Sequence, residues 1–508
     1  MPTTRREPLS TRALNARGRL PLAVQLRNPA LLGTEALAGL VTTLALIPEV
    51  ISFSIIAGVD PINSLVASVV LALSMSVLGG RSAMVTAAAG SVALVVAPMV
   101  KSNGVEYLLP TVIVAGVIQI AFGATGLSKL MRYIPRSVML GFVNALGILI
   151  FAAQVPHLLN VPWPVYPLFA LTFAIIWLFP KITKVVPAPL VAIVAVTALT
   201  VAFGIAVPTV GDEGAISGGL PGFTPFGVPF DLATLGIIAP TAIAVAFVGL
   251  IETLLTAKLV DDLTDSPSSK TRESWALGVA NVMAGFWGGV AGCAMIGQTV
   301  VNVKIGRART RLSTIAAGLF LLLLVAVLSG AMARIPMVAL AAVMMIVAVR
   351  TVNWGSVRPR VIRRMPVPET AVMVVTVVVV VATGNLAIGV GVGVLLASIL
   401  LLRRVAGHRS VTRELSADGS KAHYRVGGSL FFASSNDLPE HFSYAADPAL
   451  VVIDLSDSHI WDASTVAVLD AIEAKYHAIG TSVEVRGLDA RSGALREQLS
   501  GHLNDAPE

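Results

Sequence analysis

A succession of apolar segments occupies most of this sequence and constrains its fold more than any other feature. From Gly33 to Arg404, apolar runs alternate with short polar or Pro/Gly-rich breaks. Charged residues make up only 13% of the chain and the mean hydropathy is +0.83, whereas an ordinary soluble protein carries about 25% charged residues. These values exclude an ordinary soluble enzyme and predict a polytopic α-helical membrane protein.

The apolar region has room for about 14 spans, because each span needs roughly 20 residues and the connections are short. The predicted span centres lie approximately at residues 45, 70, 92, 117, 146, 172, 197, 249, 282, 298, 321, 343, 375 and 395. A Gly- and Pro-rich break from Val207 to Gly236 divides them into seven and seven. An even number of spans places both termini on the same side of the membrane.

Basic residues test this count, because cytoplasmic loops accumulate Lys and Arg while external loops do not. With the N-terminus inside, the external loops contain only Lys101 and Arg334. The predicted cytoplasmic segments contain Arg5 to Arg27, Arg81, Lys129, Arg132, Arg136, Lys181, Lys184, Lys258, Lys270, Arg272, Lys304, Arg307, Arg309, Arg311, Arg350 to Arg364, Arg403 and Arg404. The sequence therefore predicts cytoplasmic termini and a location in the cell membrane.

The formal charge changes sign near Ala406. Residues 1–405 hold 28 Lys/Arg and 14 Asp/Glu, whereas residues 406–508 hold 8 and 15. We expect a basic cytoplasmic segment at 1–32, a transmembrane transporter domain at 33–405, and a soluble cytoplasmic domain at 406–508. Alternating strand and helix patterns predict a small α/β fold for the last of these. The basic segment is most simply a topology signal, so no nucleic-acid partner is predicted.

Two halves of seven spans have opposite orientations in the membrane, which is the arithmetic of an inverted-repeat transporter. The predicted repeats cover residues 33–206 and 237–405. The third and tenth spans are short and rich in small residues, a pattern that indicates discontinuous helices meeting at the bilayer midplane. Helix N-termini there would present N–H groups to an anion, although small residues also serve close helix packing. The candidate substrate-binding residues are Ala88, Ala89, Gly90, Ser91, Ile296, Gly297, Gln298 and Thr299.

Two carboxylates, Glu49 and Glu252, lie near the middle of predicted spans, where burial of an acid is expensive and usually functional. Glu252 and Thr256 are four residues apart, so one helix face presents a carboxylate and a hydroxyl oxygen to a Na⁺ or H⁺ coupling site. Glu49 follows Pro48, which bends a helix and frees a carbonyl. The alternative is that each carboxylate is structural and hydrogen-bonded across helices.

Other chemistry is not indicated by the sequence. Cys293 is the single cysteine, so internal disulfides are excluded, and the histidines lack metal-ligand spacing. No phosphate-binding P-loop or nucleophile elbow is present, so an enzyme is not predicted. The only metal that we expect is Na⁺ at Glu252 and Thr256, and no other cofactor is predicted.

Three segments resemble the SulP inorganic-anion transporters: Ile47 to Pro61, Val248 to Thr256, and the tail motifs Val452 to Ser456 and Asp462 to Thr465, which are similar to a STAS domain. The resemblance implies a core domain that moves against a gate domain, an anion between the third and tenth half-helices, and a homodimer. It also places Glu252 and Thr256 where sodium-dependent bicarbonate carriers hold Na⁺.

Ser464 matches a serine that is phosphorylated in the related anti-sigma-factor antagonists, which makes it a candidate regulatory phosphorylation site. A helix N-cap is the alternative role for Ser464.

The sequence thus predicts a secondary active transporter of a small inorganic anion, bicarbonate or sulfate, coupled to Na⁺ or H⁺ through alternating access. A nucleobase carrier of the same inverted fold is one alternative. A membrane-tethered STAS regulator or scaffold is another.

Overall fold

The computed structural model describes residues 28–127, 133–182, 186–213, 222–229 and 231–502. The chain divides into two compact units between Val394 and Leu395. The predicted division at residue 405 remains a prediction. The basic segment that ends at Arg27, and the predicted cytoplasmic residues Lys129, Arg132 and Lys184, lie outside the described residues.

Fourteen helices longer than four residues are present in the described chain up to residue 406. They are α1 Pro29–Ala57, α2 Pro61–Leu78, α3 Gly90–Asn103, α4 Leu108–Ala124, α5 Arg136–Gln154, α6 Val165–Leu178, α7 Ala188–Ala202, α8 Leu232–Thr264, α9 Lys270–Gly285, α10 Ile296–Val300, α11 Leu312–Met332, α12 Met337–Thr351, α13 Val367–Thr383 and α14 Leu386–Ala406. Each predicted span centre falls within one of them.

Seven helices of the described chain are long and apolar enough to cross a membrane by length and composition: α1, α2, α4 with its preceding turn, α5 with its following turn, α8, α11 and α14. The helices α6, α7, α12 and α13 are apolar but shorter. The two predicted discontinuous spans are each a short strand followed by a helix. Strand β1, Thr86–Ala88, precedes α3, and strand β2, Gly292–Ala294, precedes α10, which continues as a π-helical turn over Val301–Ile305.

Helix packing repeats between the two halves with the roles exchanged. The second helix of one half packs on the fourth helix of the other, as α2 on α11 and α9 on α4. The first helix of one half likewise packs on the fourth helix of the other, as α1 on α11 and α8 on α4. The fifth helix of one half packs on the sixth helix of the other, as α5 on α13 and α12 on α6. This exchange is the signature of an inverted repeat, and it confirms the predicted fold class.

The same packing separates two sets of helices. We call α1 to α4 with α8 to α11 the core set, and α5 to α7 with α12, α13 and residues 386–394 of α14 the gate set. Packing between the sets is limited mainly to α1 against α7 and α12, and α3 against α5. Within the core set, α4 crosses α9 where a Cβ on Gly278 would lie 2.4 Å from the carbonyl oxygen of Gly116. Small residues therefore do allow close packing, both at this crossing and in the two predicted discontinuous segments, where a Cβ on Gly292 would lie 2.6 Å from the carbonyl oxygen of Ala87.

The second unit contains a four-stranded sheet in the order β3 Ser410–Leu415, β4 Lys421–Leu430, β5 Leu450–Ile460 and β6 Ser482–Arg486. Strands β3 and β4 are antiparallel, whereas β4, β5 and β6 run parallel. Helices α15, Ala463–Ala478, and α16, Ala490–Leu499, contribute to its apolar core. The side chain of Asp447 accepts hydrogen bonds from the buried hydroxyls of Tyr424 and Tyr476 at 2.7 and 2.5 Å. The predicted α/β domain is confirmed.

Candidate functional site

The two short strands bring the beginnings of α3 and α10 together. Strands β1 and β2 are antiparallel, with Thr86 opposite Ala294 and Ala88 opposite Gly292. The amide of Met295 extends the pairing by donating to the carbonyl of Val85 at 2.9 Å. Because the strands are antiparallel, α3 and α10 leave the strand pair in opposite directions, and both N-termini, with their partial positive charge, point toward it.

The N-terminus of α3 is enclosed by side chains from two other helices. Its N-cap, Ala89, provides no side-chain hydrogen bond. The Ser91 hydroxyl donates to the Oε2 atom of Glu252 on α8. The ring of Phe53 on α1 covers Gly90 so closely that a Cβ there would lie 2.5 Å from Cε1 of the ring. The α3 end of the site therefore already contains a carboxylate and has no free volume at Gly90.

The N-terminus of α10 is open in comparison. Gly297 is exposed, and a Cβ placed on it would meet no atom within 4 Å. Its neighbour Gln298 is buried, and its side chain lies near the partly exposed Glu49 on α1. The N-cap residue Met295 provides no side-chain cap. Room for a small ligand thus lies beside Gly297.

Each of the two mid-span carboxylates contacts a helix of the other half. Glu49 lies on the first helix of the first half and contacts α10 of the second half. Glu252 lies on the first helix of the second half and contacts α3 of the first half. The sequence placed both residues mid-span, but only the fold shows that each carboxylate belongs to the half-helix of the opposite repeat.

The immediate surroundings of Glu252 consist of hydrogen-bond donors. Besides Ser91, the thiol of Cys293 donates to Oε2 at 3.1 Å. Thr256, which we predicted to complete a cation site with Glu252, directs its hydroxyl to the carbonyl oxygens of Glu252 and Ala294 at 2.8 and 3.0 Å. That hydroxyl is bonded to the backbone and not to the Glu252 carboxylate. The predicted Na⁺ site at Glu252 and Thr256 remains a prediction.

Two predicted anion-binding groups are committed to other bonds. The amide of Ala88 donates to the hydroxyl of Ser68 at 3.0 Å, so it does not offer a free N–H group. The fully buried hydroxyl of Thr299 accepts from the amide of Val85 at 3.0 Å and therefore fixes the approach to β1. Both bonds have the same physical reason, because short buried strands need hydrogen-bond partners from neighbouring elements. The Thr299 hydroxyl accepts in this bond and keeps its own hydrogen to donate, and the anion-binding roles of both residues remain predictions. Ala89 and Ile296 flank the helix starts, as expected.

A polar side chain of α9 anchors β2 and was missed by sequence reasoning. Asn281 accepts from the amide of Gly292 at 2.7 Å and donates to its carbonyl at 3.1 Å. The Oε1 atom of Gln119 on α4 accepts from the same Asn281 amide group at 2.9 Å. Thr253 accepts from the amide of Ala294 at 3.0 Å. Buried Asn and Gln in apolar spans are a usable signal, because such groups must find partners in the membrane.

Phe53 is the other missed residue. It lies one turn after Glu49, so its position on the same face of α1 was readable from the sequence. Its contact with Gly90 was not readable, because it joins the two elements only through tertiary packing.

Ser464 lies in the second unit, at the second position of α15, and its side chain is exposed. The helix is capped by Asp462, whose Oδ1 accepts from the amide and hydroxyl of Thr465 at 3.0 Å. The alternative role of Ser464 as the N-cap is therefore wrong. Its exposure leaves the hydroxyl accessible to a modifying enzyme.

Comparisons with known proteins agree with this architecture. The sulfate permease family model matches residues 32–166 and 160–376, and the STAS domain model matches residues 414–499. YbaR of Bacillus subtilis, which is named for sulfate transport, is 47% identical over 92% of this chain and 96% of its own length. The bicarbonate transporter BicA of Synechocystis is 26% identical over 85% of this chain and 84% of its own.

Among solved structures, the murine Solute Carrier 26 family member A9 anion transporter has the same fold. It superposes with a TM-score of 0.79 at 16% identity, covering 93% of this chain and 88% of that one. The family models and the similarity to YbaR extend across both units of the chain. The chain therefore belongs to the sulfate permease family of multi-pass membrane anion transporters, and it carries a C-terminal STAS domain.

Proposed function

We propose that this protein is a secondary active transporter of a small oxyanion, sulfate or bicarbonate, coupled to a proton or Na⁺ gradient. The observation that carries the proposal is the meeting of two half-helix N-termini at a site whose named contacts include no lysine or arginine. The open volume beside Gly297 is where an anion would bind, because helix N-termini hold anions through N–H groups and the helix dipole. The names of the relatives YbaR and BicA support the choice of anions.

A proton fits the surroundings of Glu252 better than Na⁺ does. Na⁺ needs several oxygen atoms that direct lone pairs at it, as hard cations generally do. Glu252 instead accepts from Ser91 and Cys293, and the Thr256 hydroxyl is bonded to carbonyl oxygens. We propose that the carboxylate itself takes up and releases the coupled proton.

Alternating access would move the core set against the gate set, carrying the anion with α3 and α10. The limited packing between α1 and the helices α7 and α12 supports this motion. Small contact areas between two rigid bodies are typical of relative movement. The predicted homodimer, cytoplasmic termini and cell-membrane location remain predictions.

The test is uptake of radiolabelled sulfate, bicarbonate and uracil into proteoliposomes under an imposed pH gradient or Na⁺ gradient. We expect uptake of one of the two anions, accelerated by inward proton flow, and no uptake of uracil. In Glu252→Gln, the acceleration should disappear. The matched control is Glu35→Gln, because Glu35 is also a buried carboxylate of the core set but accepts from the backbone amides of Arg309 and Thr310.

The outcomes separate the parts of the proposal. Uphill uptake that follows Na⁺ and ignores pH contradicts proton coupling but leaves anion transport intact. Uptake of uracil without uptake of either anion would show that the substrate is a nucleobase and not an anion. Equal gradient responses in Glu252→Gln and the native protein remove Glu252 from coupling.

The STAS domain would regulate transport through Ser464. An exposed serine in the first turn of α15 accommodates a phosphate, because a helix N-terminus favours negative charge. Ser464→Asp should change the uptake rate relative to Ser464→Ala when both are assayed at equal protein levels. Deletion of residues 410–508 distinguishes regulation from a scaffold role, since regulation predicts that anion uptake persists.

A further inference from the structure

We propose that the arginine-rich connection between α12 and α13 binds the headgroups of anionic phospholipids. We call residues 350–367 the basic connection. It joins two apolar helices of a membrane transporter and therefore lies at a bilayer surface. It contains no Asp or Glu, whereas it holds five arginines: Arg350, Arg358, Arg360, Arg363 and Arg364.

Among the described residues, no carboxylate pairs with the arginines of the basic connection. All five arginines are exposed. None of them forms an ion pair with another residue in the described part of the chain. Other arginines of this unit are engaged, as Arg81 is with Asp261 at 3.2 Å and Arg311 with carbonyl oxygens at the C-terminal end of α2. The five free guanidinium groups can therefore bind external anions.

The basic connection is held in place by hydrogen bonds to the gate set. Asn144 on α5 accepts from the amide of Asn353 at 2.7 Å and donates to the Ser356 hydroxyl at 3.0 Å. Two one-turn helices, Trp354–Val357 and Pro359–Ile362, follow this anchor. The arginines are thus carried on an ordered backbone, which reduces the entropy lost when they bind.

Apolar side chains accompany the arginines. Trp354 is 55% exposed and Val367 is 81% exposed. The indole Nε1 atom of Trp354 donates to the carbonyl of Val349 at 2.7 Å, which fixes the ring at the end of α12. Tryptophan beside arginine is the composition of a membrane interface, where the ring lies among headgroups and the guanidinium binds phosphate.

The inverted repeat provides an internal comparison. The equivalent connection, between α5 and α6, comprises residues 155–164 and also exposes a tryptophan, Trp163, at 76%. It contains no lysine, arginine, aspartate or glutamate. The fold therefore requires the connection and tolerates the exposed ring, but it does not require the arginines. The two equivalent connections of an inverted repeat lie at opposite surfaces of the membrane. The arginines are therefore concentrated at one of these surfaces only.

A topology signal alone does not account for an ordered cluster of this composition. The positive-inside effect needs only basic residues near the membrane. The arginines here also stand on a hydrogen-bonded backbone beside the exposed Trp354, and their planar groups bind phosphate in a bidentate manner. Each arginine near an anionic surface raises lipid binding by about fivefold. Several acting together would make phosphatidylglycerol a stably bound neighbour of the gate set.

The test uses the full-length protein in phosphatidylcholine vesicles that contain trace spin-labelled phosphatidylglycerol or spin-labelled phosphatidylcholine. We expect the native protein to prefer phosphatidylglycerol, and R358Q/R360Q/R363Q/R364Q to lose about fivefold or more of that preference. The matched control, R5Q/R6Q/R12Q/R17Q, removes the same number of charges from the N-terminal segment and should lose less of the preference, because these arginines lie at least twelve residues before α1. An unchanged preference in the first variant, or an equal loss in both variants, overturns the proposal.

A second measurement needs no variant. Photoactivatable phosphatidylglycerol is incorporated with the native protein, and the adducts are mapped by mass spectrometry. The proposal requires adducts within residues 350–367 and few within residues 155–164. Adducts that avoid the basic connection overturn it and indicate that a protein surface, such as that of the acidic STAS domain, covers the arginines.

Discussion

The N-termini of α3 and α10 occupy equivalent places in the two repeats, yet their surroundings differ. The α3 end is closed by the Phe53 ring and already holds the Glu252 carboxylate. The α10 end leaves Gly297 exposed with free space around it. Two equivalent helix ends of an inverted repeat can therefore have different surroundings, and the proposed division of work follows from this: the α3 end would hold the coupling carboxylate and the α10 end would receive the anion.

The largest expected effect comes from adding one methyl group to each end. Gly90→Ala forces its Cβ into the Phe53 ring, and overpacking of this kind costs about 1–3 kcal/mol. We expect anion uptake to fall by more than about tenfold, together with a lower melting temperature. Gly297→Ala meets no atom and should leave the melting temperature unchanged while raising KM for the anion. Equal effects of the two substitutions would contradict the difference between a closed α3 end and an open α10 end.

The strands that carry the two ends differ in how they are anchored. Asn281 bonds both backbone groups of Gly292, whereas Ser68 bonds only the amide of Ala88. Asn281→Ala should therefore lower stability by about 1–3 kcal/mol, more than Ser68→Ala does, because each unpaired buried group is costly. Thermal unfolding in lipid, followed by tryptophan fluorescence, measures both. A larger loss from Ser68→Ala would contradict the asymmetry.

Thr299 on α10 bonds the amide of Val85, which precedes β1. Substitution of Thr299 tests whether its hydroxyl positions the strand pair or binds the substrate. Thr299→Val removes the acceptor for the Val85 amide and should cost about 1 kcal/mol of stability. Uptake should fall mainly through kcat, because the geometry of the strand pair is loosened. Thr299→Ser keeps the oxygen and serves as the control. If Thr299→Val raises KM at unchanged stability, the hydroxyl binds the anion after all.

The smallest effect concerns the two donors to Glu252. The Ser91 hydroxyl is a stronger donor than the Cys293 thiol, so Ser91→Ala should reduce gradient-driven uptake more than Cys293→Ala does. We expect the cysteine variant to stay within about twofold of the native rate. Cys293→Ser keeps a donor at that position and should match the native protein. A greater loss from Cys293→Ala would make the thiol the principal partner of the carboxylate.

Much of the site was readable from residue types. Glu49, Glu252 and the small residues around Gly90 and Gly297 stand out, because charge and glycine are unusual in the middle of apolar spans. The hydrogen-bond partners of two hydroxyl groups were not readable. Thr256 and Thr299 both serve the backbone in this structure, and nothing in local sequence distinguishes a hydroxyl that serves a strand from one that serves a ligand.

The residue pattern alone is enough to predict that the chain lies in a membrane, that its helices fall into seven and seven, and that an acidic α/β domain follows. These properties depend on local hydropathy and charge, which act on each segment independently. The tertiary structure alone decided that Glu252 meets Ser91, a residue 161 positions away, and that Glu49 meets Gln298. Such pairings depend on the packing of distant helices, and only the folded arrangement of both repeats fixes which half-helix is closed and which is open.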